Sequence, residues 1–78
     1  MSSFDAAKRA GEVLRRLIQT HYASQEEFAY DYGLDIRSVS RYINNGIGKV
    51  ATIQELADFF HVDLIYFFTA AESPNQQS

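Results

Sequence analysis

The sequence predicts an all-α protein, and three observations support this class. Apolar residues recur at helical spacing along nearly the whole chain. No stretch combines alternating polarity with the β-branched bias of a strand. Residues that favour helix starts, namely Ser, Thr and Asp, precede the periodic segments, and Gly or Asn follows some of them. The length of 78 residues allows one domain with a small core.

The first predicted helix covers about residues 5–21, and Ser2 or Ser3 can cap its start. The second lies in "SQEEFAYDYG", where Ser24 and Glu27 have the spacing of a capping box. This helix is only about two turns long, and the glycine at its end, Gly33, can adopt the left-handed conformation that stops a helix. The apolar residues that we expect on the inner sides of these two helices are Ala7, Ala10, Leu14, Leu17, Ile18, Phe28, Ala29 and Tyr32.

Asp35 can cap a third helix, which ends within the Asn-Asn-Gly of residues 44–46. Helical spacing divides this segment into two sides. The inner side is apolar, whereas the outer side is a polar stripe with spacing i, i+3, i+4 and i+7. Such a stripe, taken alone, is either a solvated helix face or a binding face. The inner residues are Val39, Tyr42 and Ile43, and the stripe consists of Arg37, Ser40, Arg41 and Asn44.

A loop over about residues 46–51 leads to a fourth helix in "TIQELADFF", with capping-box spacing from Thr52 to Glu55. Asp63 can cap a short fifth helix. The sequence therefore predicts one five-helix domain over residues 1–69 and a flexible tail over residues 70–78, where the apolar period is lost. The inner residues of the last two helices are Ile53, Leu56, Ala57, Phe60, Leu64, Phe67 and Phe68.

Charge is unevenly distributed along this acidic chain, whose net charge is −3. Residues 36–50 contain Arg37, Arg41 and Lys49 and no acid, whereas residues 51–78 contain four acids and no Lys or Arg. A net negative charge argues against a protein that coats nucleic acid nonspecifically, because binding to phosphates depends on cations. The distribution nevertheless allows a basic face on an acidic body.

Residues 11–68 resemble the Cro/C1-type helix-turn-helix family of phage repressors and bacterial regulators. The resemblance is carried by "SQEEFA", Gly33, "SVSRYINNG" and "TIQELADFFHVDLIYFF", which stand in the family's order and at its spacing. It implies a compact lambda-repressor-like domain with the helix-turn-helix at about residues 25–44. It also implies a sequence-specific transcriptional regulator of double-stranded DNA, by expectation a repressor.

In such a domain the helix at residues 36–44 would enter the major groove, where an arginine can donate two hydrogen bonds to guanine O6 and N7. Ile36 could touch a thymine methyl group or close the core. The residues expected to read bases are Ile36, Arg37, Ser40 and Arg41, and those expected to hold phosphates are Gln25, Asn44, Asn45 and Lys49. The loop carries fewer cations than is usual in the family, so we expect weak nonspecific affinity.

The apolar pattern of the fifth helix predicts a homodimer. Its Leu64 side can close the core, and its other side is also apolar, so that a second subunit would have to cover it. A dimer with twofold symmetry would read an inverted-repeat operator. The residues expected at this interface are Ile65, Tyr66 and Phe68.

Other functional classes fit less well. His21 and His61 are far apart in sequence and have no catalytic motif around them, and the chain contains no cysteine. We therefore expect no catalytic residues, metal, cofactor or small-molecule substrate. The absence of a signal segment or membrane span predicts a cytoplasmic protein. The alternative function is a protein-binding helix-turn-helix module, such as an antitoxin or co-regulator, that uses surplus aromatic residues as its interface.

Overall fold

The computed structural model describes residues 5–69, and this part of the chain contains five helices and no strand. The all-α class is therefore confirmed. Residues 70–78, predicted to be a tail, lie outside the described residues. Within residues 5–69, no helix has both the length and the apolar character needed to cross a membrane. The helices are α1 Ala6–His21, α2 Gln25–Tyr32, α3 Ile36–Asn45, α4 Val50–Phe60 and α5 Tyr66–Thr69.

The starts of α1, α4 and α5 differ from the sequence prediction. α5 begins at Tyr66, three residues after Asp63, so the prediction that Asp63 caps it is wrong. Asp5 is the N-cap of α1, and its carboxylate accepts a hydrogen bond from the backbone N–H of Lys8 at 3.2 Å. The proposed caps Ser2 and Ser3 lie outside the described residues. The prediction that Thr52 caps α4 is wrong, because the N-cap is Lys49, three residues earlier, and the helix begins at Val50. Thr52 instead lies in the first turn.

The boundaries of α2 follow the sequence closely. The hydroxyl of Ser24 accepts a hydrogen bond from the backbone N–H of Glu27 at 3.1 Å, as a capping box requires. The carboxylate of Glu27 accepts from the backbone N–H of Ala23 rather than from that of Ser24. Gly33 ends the helix in the left-handed conformation, as predicted. Three residues then connect α2 to α3, which keeps the two helices adjacent.

A purely hydrophobic core connects the five helices, with α1 at its centre. No polar or charged side chain is buried within residues 5–69. Folding of this part therefore requires no buried ion pair, and its stability depends on apolar burial and packing. The buried hydrophobic residues are Ala10, Val13, Leu14, Leu17, Ile18, Phe28, Ala29, Val39, Ile47, Ile53, Leu56, Ala57 and Phe67.

The backbones of α1 and α3 approach each other closely at Gly11. A Cβ atom added there would lie 2.4 Å from the backbone oxygen of Tyr42, so only glycine fits without a backbone shift. Just beyond α3, the N–H of Ile47 donates to the backbone oxygen of Ala7 at 2.9 Å. The C-terminal end of α3 is thereby held against α1 by backbone contacts. The inner residues Tyr42 and Ile43 are half-buried against the same core.

The second helix is held mainly by an aromatic cluster. The fully buried ring of Phe28 contacts four aromatic rings, with centroid separations of 5.3 to 5.9 Å. Two of these rings come from the C-terminal end of α4, so the cluster joins α2 to α4 as well as to the end of α1. The rings around Phe28 are Tyr22, Tyr32, Phe59 and Phe60.

Candidate nucleic-acid interface

The polar stripe predicted on α3 faces away from the core. Arg37, Arg41 and Asn44 are exposed, whereas Val39 on the opposite side is fully buried. Ser40 is half-buried, so it lies at the edge of the exposed stripe rather than at its centre. The two guanidinium groups are four residues apart on a helix of ten residues and therefore project from the same face.

Ile36 is the first residue of α3 and is 37% exposed. More than a third of this residue is open to solvent, and the rest is covered by the protein. Contact with a thymine methyl group and closure of the core both stay predictions for Ile36. An exposed aliphatic group at the start of α3 remains available for contact with another molecule.

Asp35 also lies on this surface. It directly precedes residues 36–50, the segment that contains no acid. Its carboxylate makes no hydrogen bond to the start of the helix backbone, and instead accepts one from the hydroxyl of Ser38 at 2.7 Å. This hydrogen bond is the main reason why the pKa of Asp35 is lowered, and the charge of Arg41 also contributes. The cationic face of α3 consequently has one negative charge at its N-terminal edge. The three-residue spacing of Asp35 and Ser38 was the available sequence signal for it.

The residues expected to hold phosphates lie on three elements. Asn44 and Asn45 are exposed in the last turn of α3, and Lys49 is exposed at the N-cap of α4. Gln25 is half-buried at the first position of α2. Three of the four thus lie within six residues of the chain around the end of α3, and Gln25 lies at the far end of the neighbouring helix.

The loop between α3 and α4 has a structural role that the sequence analysis missed. Ile47 is only 2% exposed and belongs to the core, while Gly48 and Lys49 are exposed. At residue 47 the loop is therefore uncharged because this side chain is packed in the core. A single apolar residue between two glycines was the only sequence signal for this anchor.

The surface of α2 has the opposite charge from that of α3. Glu26 and Glu27 are exposed in its first turn, directly after Gln25, and Asp31 is exposed one turn later. The hydroxyl of Tyr22 donates to the carboxylate of Asp31 at 2.6 Å. This hydrogen bond, together with partial burial and the negative charge, raises the pKa of Tyr22 to about 12.

The predicted dimer surface is only partly exposed. Ile65 is 63% exposed and Tyr66 is 38% exposed. Phe68 is half-buried against the core, and its backbone oxygen accepts a hydrogen bond from the side chain of Arg9 at 3.5 Å. An apolar contact surface at this end of the molecule would therefore be centred on Ile65 and Tyr66, with Phe68 at its edge.

Each of the two histidines lies at the C-terminal end of a helix. The ring of His21 lies 5.8 Å from that of Phe60, and His61 is the C-cap of α4 with a left-handed backbone. Across the described range, no group of three or more His, Cys, Asp or Glu side chains could hold a metal ion.

Comparisons of this chain with protein-family models, with curated proteins and with solved structures found no match. The assignment of a function consequently depends on the chain's own residues and on the geometry of its surfaces.

Proposed function

We propose that this protein is a sequence-specific transcriptional regulator of the lambda-repressor-like helix-turn-helix class that binds double-stranded DNA. In this proposal α2 and α3 form the helix-turn-helix, and the segment at residues 36–44 enters the major groove. The observation that carries the proposal is the outward face of α3, where Arg37 and Arg41 are both exposed opposite a buried Val39. The resemblance to phage repressors favours repression over activation.

The geometry of α3 supports direct readout of bases. An arginine can donate two parallel hydrogen bonds to guanine, and two arginines separated by one helical turn can reach neighbouring base pairs. The exposed side chain of Ile36 can contact a thymine methyl group in the same groove. Ser40, at the edge of the stripe, can donate or accept one hydrogen bond.

Phosphate contacts would position this helix without reading sequence. We assign this role to Gln25, at the N-terminus of α2, and to Asn44, Asn45 and Lys49 beyond the end of α3. Only one of these four residues is a cation, and Glu26 and Glu27 are adjacent to Gln25. Weak binding to random DNA follows from this charge balance.

A homodimer would compensate for the few phosphate contacts of one subunit. Two reading helices related by a twofold axis contact half-sites about 34 Å apart, so we expect an inverted-repeat operator. Ile65 and Tyr66 are the exposed apolar residues that we propose at the subunit contact, with Phe68 at its edge. No cofactor or small-molecule ligand is required by this function.

Selection of binding sites from random duplexes, followed by mobility shifts, tests the base readout. Arg37→Ala and Arg41→Ala should each weaken the selected site and relax preference at one position, with a loss of about 1–3 kcal/mol of discrimination. Arg16→Ala is the matched control, because it also removes one exposed arginine, but from α1. Equal losses on selected and random DNA would show that the two arginines contact phosphates rather than bases.

The salt dependence of affinity tests the phosphate contacts separately. Lys49→Ala should reduce affinity for all sequences alike and lower the slope of log affinity against log salt by about one. An unchanged slope would place Lys49 outside the interface. Light scattering with Ile65→Lys and Tyr66→Lys tests the dimer, since both substitutions should shift it toward monomer.

The alternative function, a protein-binding module without DNA contact, is favoured by one specific observation. Tyr30 lies in the acidic part of the surface and is 91% exposed, so its ring contributes little to packing within the domain. The selection experiment separates the two functions, because a module of this kind would enrich no sequence from the random duplexes.

A further inference from the structure

Two grooves of opposite charge lie on the surface outside α3. The acidic groove has a volume of about 500 Å³ and is lined by Tyr22, Glu26, Glu27, Tyr30 and Asp31. The arginine groove, with a volume of about 410 Å³, lies on the outer side of α1 and is lined by Arg15, Arg16, Gln19 and Thr20. No carboxylate lines the second groove, and no cation lines the first.

We propose that the acidic groove binds the arginine groove of a second copy of this chain. The contact would be head-to-tail, because it joins two different surfaces, and each copy would present one of each. It is distinct from the apolar twofold contact assigned to Ile65 and Tyr66, and it does not depend on DNA binding.

The acidic groove has an aromatic component as well as charge. Tyr30 is 91% exposed, so most of its ring surface is open to another molecule. A guanidinium group can stack on such a ring while it donates hydrogen bonds to neighbouring carboxylates, and an ammonium group matches this planar geometry less well. The groove therefore suits arginine, which is the cation that the second copy supplies.

Part of the groove is already ordered before any partner binds. The hydroxyl of Tyr22 is held by Asp31 at 2.6 Å, and Glu27 is held by the N–H of Ala23 at 3.3 Å. Preorganised groups lose less conformational entropy on association. Glu26 and Tyr30, in contrast, make no side-chain hydrogen bond within residues 5–69, so both remain available to arginine.

In the arginine groove, Arg15 and Arg16 are exposed near the middle of α1. Neither guanidinium group makes a hydrogen bond or ion pair with another residue of the described range. Gln19 and Thr20 follow one turn later and extend the polar surface of the groove. Two adjacent cations thus face solvent on a surface that can meet the carboxylates of a neighbouring copy.

Sedimentation of the full chain over a concentration series tests this contact in the absence of DNA. In low salt we expect association beyond the apolar dimer, and we expect salt near 0.5 M to abolish it, because screening weakens exposed charge pairs. Glu26→Arg and the pair Arg15→Glu with Arg16→Glu should each weaken this salt-sensitive step about tenfold or more. Tyr30→Ala should weaken it too, since the stacking surface is lost.

Mixing the variants provides the sharpest test. The Glu26→Arg chain retains an intact arginine groove, and the Arg15→Glu, Arg16→Glu chain retains an intact acidic groove, so the mixture should regain the salt-sensitive association that each variant has lost. Glu55→Arg, which reverses an exposed acid on α4, is the matched control and should associate like the natural chain. Arg15→Lys with Arg16→Lys retains both charges but loses the planar groups, so it should associate more weakly than the natural chain and more strongly than the charge-reversed pair.

Three results would overturn the proposal: no salt-sensitive association of the natural chain, equal association of Glu26→Arg and Glu55→Arg, or no recovery in the mixture. If the natural chain does not associate but an arginine-rich peptide binds its acidic groove, the occupant is another protein rather than a second copy. The apolar dimer is tested independently by its persistence in high salt, so its failure is distinguishable from failure of the groove contact.

Discussion

Helices α2 and α3 are neighbours joined by three residues, yet they differ in both charge and anchorage. α2 exposes Glu26, Glu27 and Asp31 and contains no Lys or Arg, whereas α3 exposes Arg37 and Arg41 and contains no acid. The arginine-bearing helix suits an anionic partner and the acidic helix suits a cationic one. This small domain therefore has two electrostatically different faces on adjacent helices.

The anchorage of the two helices differs as well. α2 is held by the fully buried side chain of Phe28, which contacts four other rings. α3 is held at its C-terminal end by a close approach of its backbone to Gly11 in α1. A ring in a cluster can be replaced by a smaller apolar group at the cost of a cavity, but a backbone contact has no side chain to adjust. The two helices should therefore respond differently to substitution.

The largest effect is expected at the aromatic anchor. Phe28→Ala should lower the free energy of unfolding by about 3–5 kcal/mol, because it removes apolar contacts and leaves a cavity. Urea denaturation measures the loss. Tyr30→Ala on the same helix is the control, since that ring is 91% exposed and its removal should change stability by less than about 0.5 kcal/mol. Similar losses for the two variants would contradict the assigned anchor.

The backbone contact should give the next largest effect. Gly11→Ala would place a Cβ atom 2.4 Å from the backbone oxygen of Tyr42, and the overpacking should destabilise the domain by about 1–3 kcal/mol. Gly48→Ala is the matched control, because no atom lies within 4 Å of the added Cβ. Thermal unfolding of both variants distinguishes them. If Gly11→Ala leaves the thermal stability unchanged, the close approach of α1 and α3 does not contribute to the stability of the domain.

The caps of the two helices provide a smaller test of the same difference. Ser24→Ala should destabilise the protein by about 1 kcal/mol, since its hydroxyl accepts from the backbone N–H of Glu27 at the start of α2. Ser38→Ala in α3 removes a hydroxyl that caps no backbone N–H and donates only to the exposed carboxylate of Asp35, so it should change stability by less than about 0.5 kcal/mol. Chemical denaturation of the two variants measures both changes in the free energy of unfolding. Equal losses would show that the N-cap hydrogen bond of Ser24 contributes no more to stability than the hydrogen bond of Ser38.

The smallest effect concerns alkaline pH. The pKa of Tyr22 is raised from 10.0 to about 12, chiefly by its hydrogen bond to Asp31, so the folded protein holds this proton more tightly than the unfolded chain. The corresponding stability is present below pH 10 and decreases as the pH rises through the folded pKa. Tyr22→Phe should remove one late-titrating phenol from the absorbance titration. Burial also raises the pKa of Tyr32, which should still titrate late in that variant.

The sequence alone was sufficient to predict the class and the main helices. Apolar periodicity identified all five, because each helix buries one side and the repeat of 3.6 residues is local information. The glycine after the second apolar segment, Gly33, was predicted to end α2, and it does so with a left-handed backbone. The outward orientation of Arg37 and Arg41 followed from the same periodicity, since Val39 and Tyr42 define the inner side.

Tertiary structure decided features that depend on residues distant in sequence. The helix starts were also left open by the sequence, because several polar residues near each start could have taken the cap position: Asp5 caps α1, and Lys49 rather than Thr52 is the N-cap of α4. The need for glycine at residue 11 arises because the backbone of Tyr42 lies against it. Ile47 is buried where the loop is bonded to the backbone of Ala7 in α1. Local spacing fixes which side of a helix is apolar. The neighbour that covers this side, and how close it comes, depends on the packing of the whole chain.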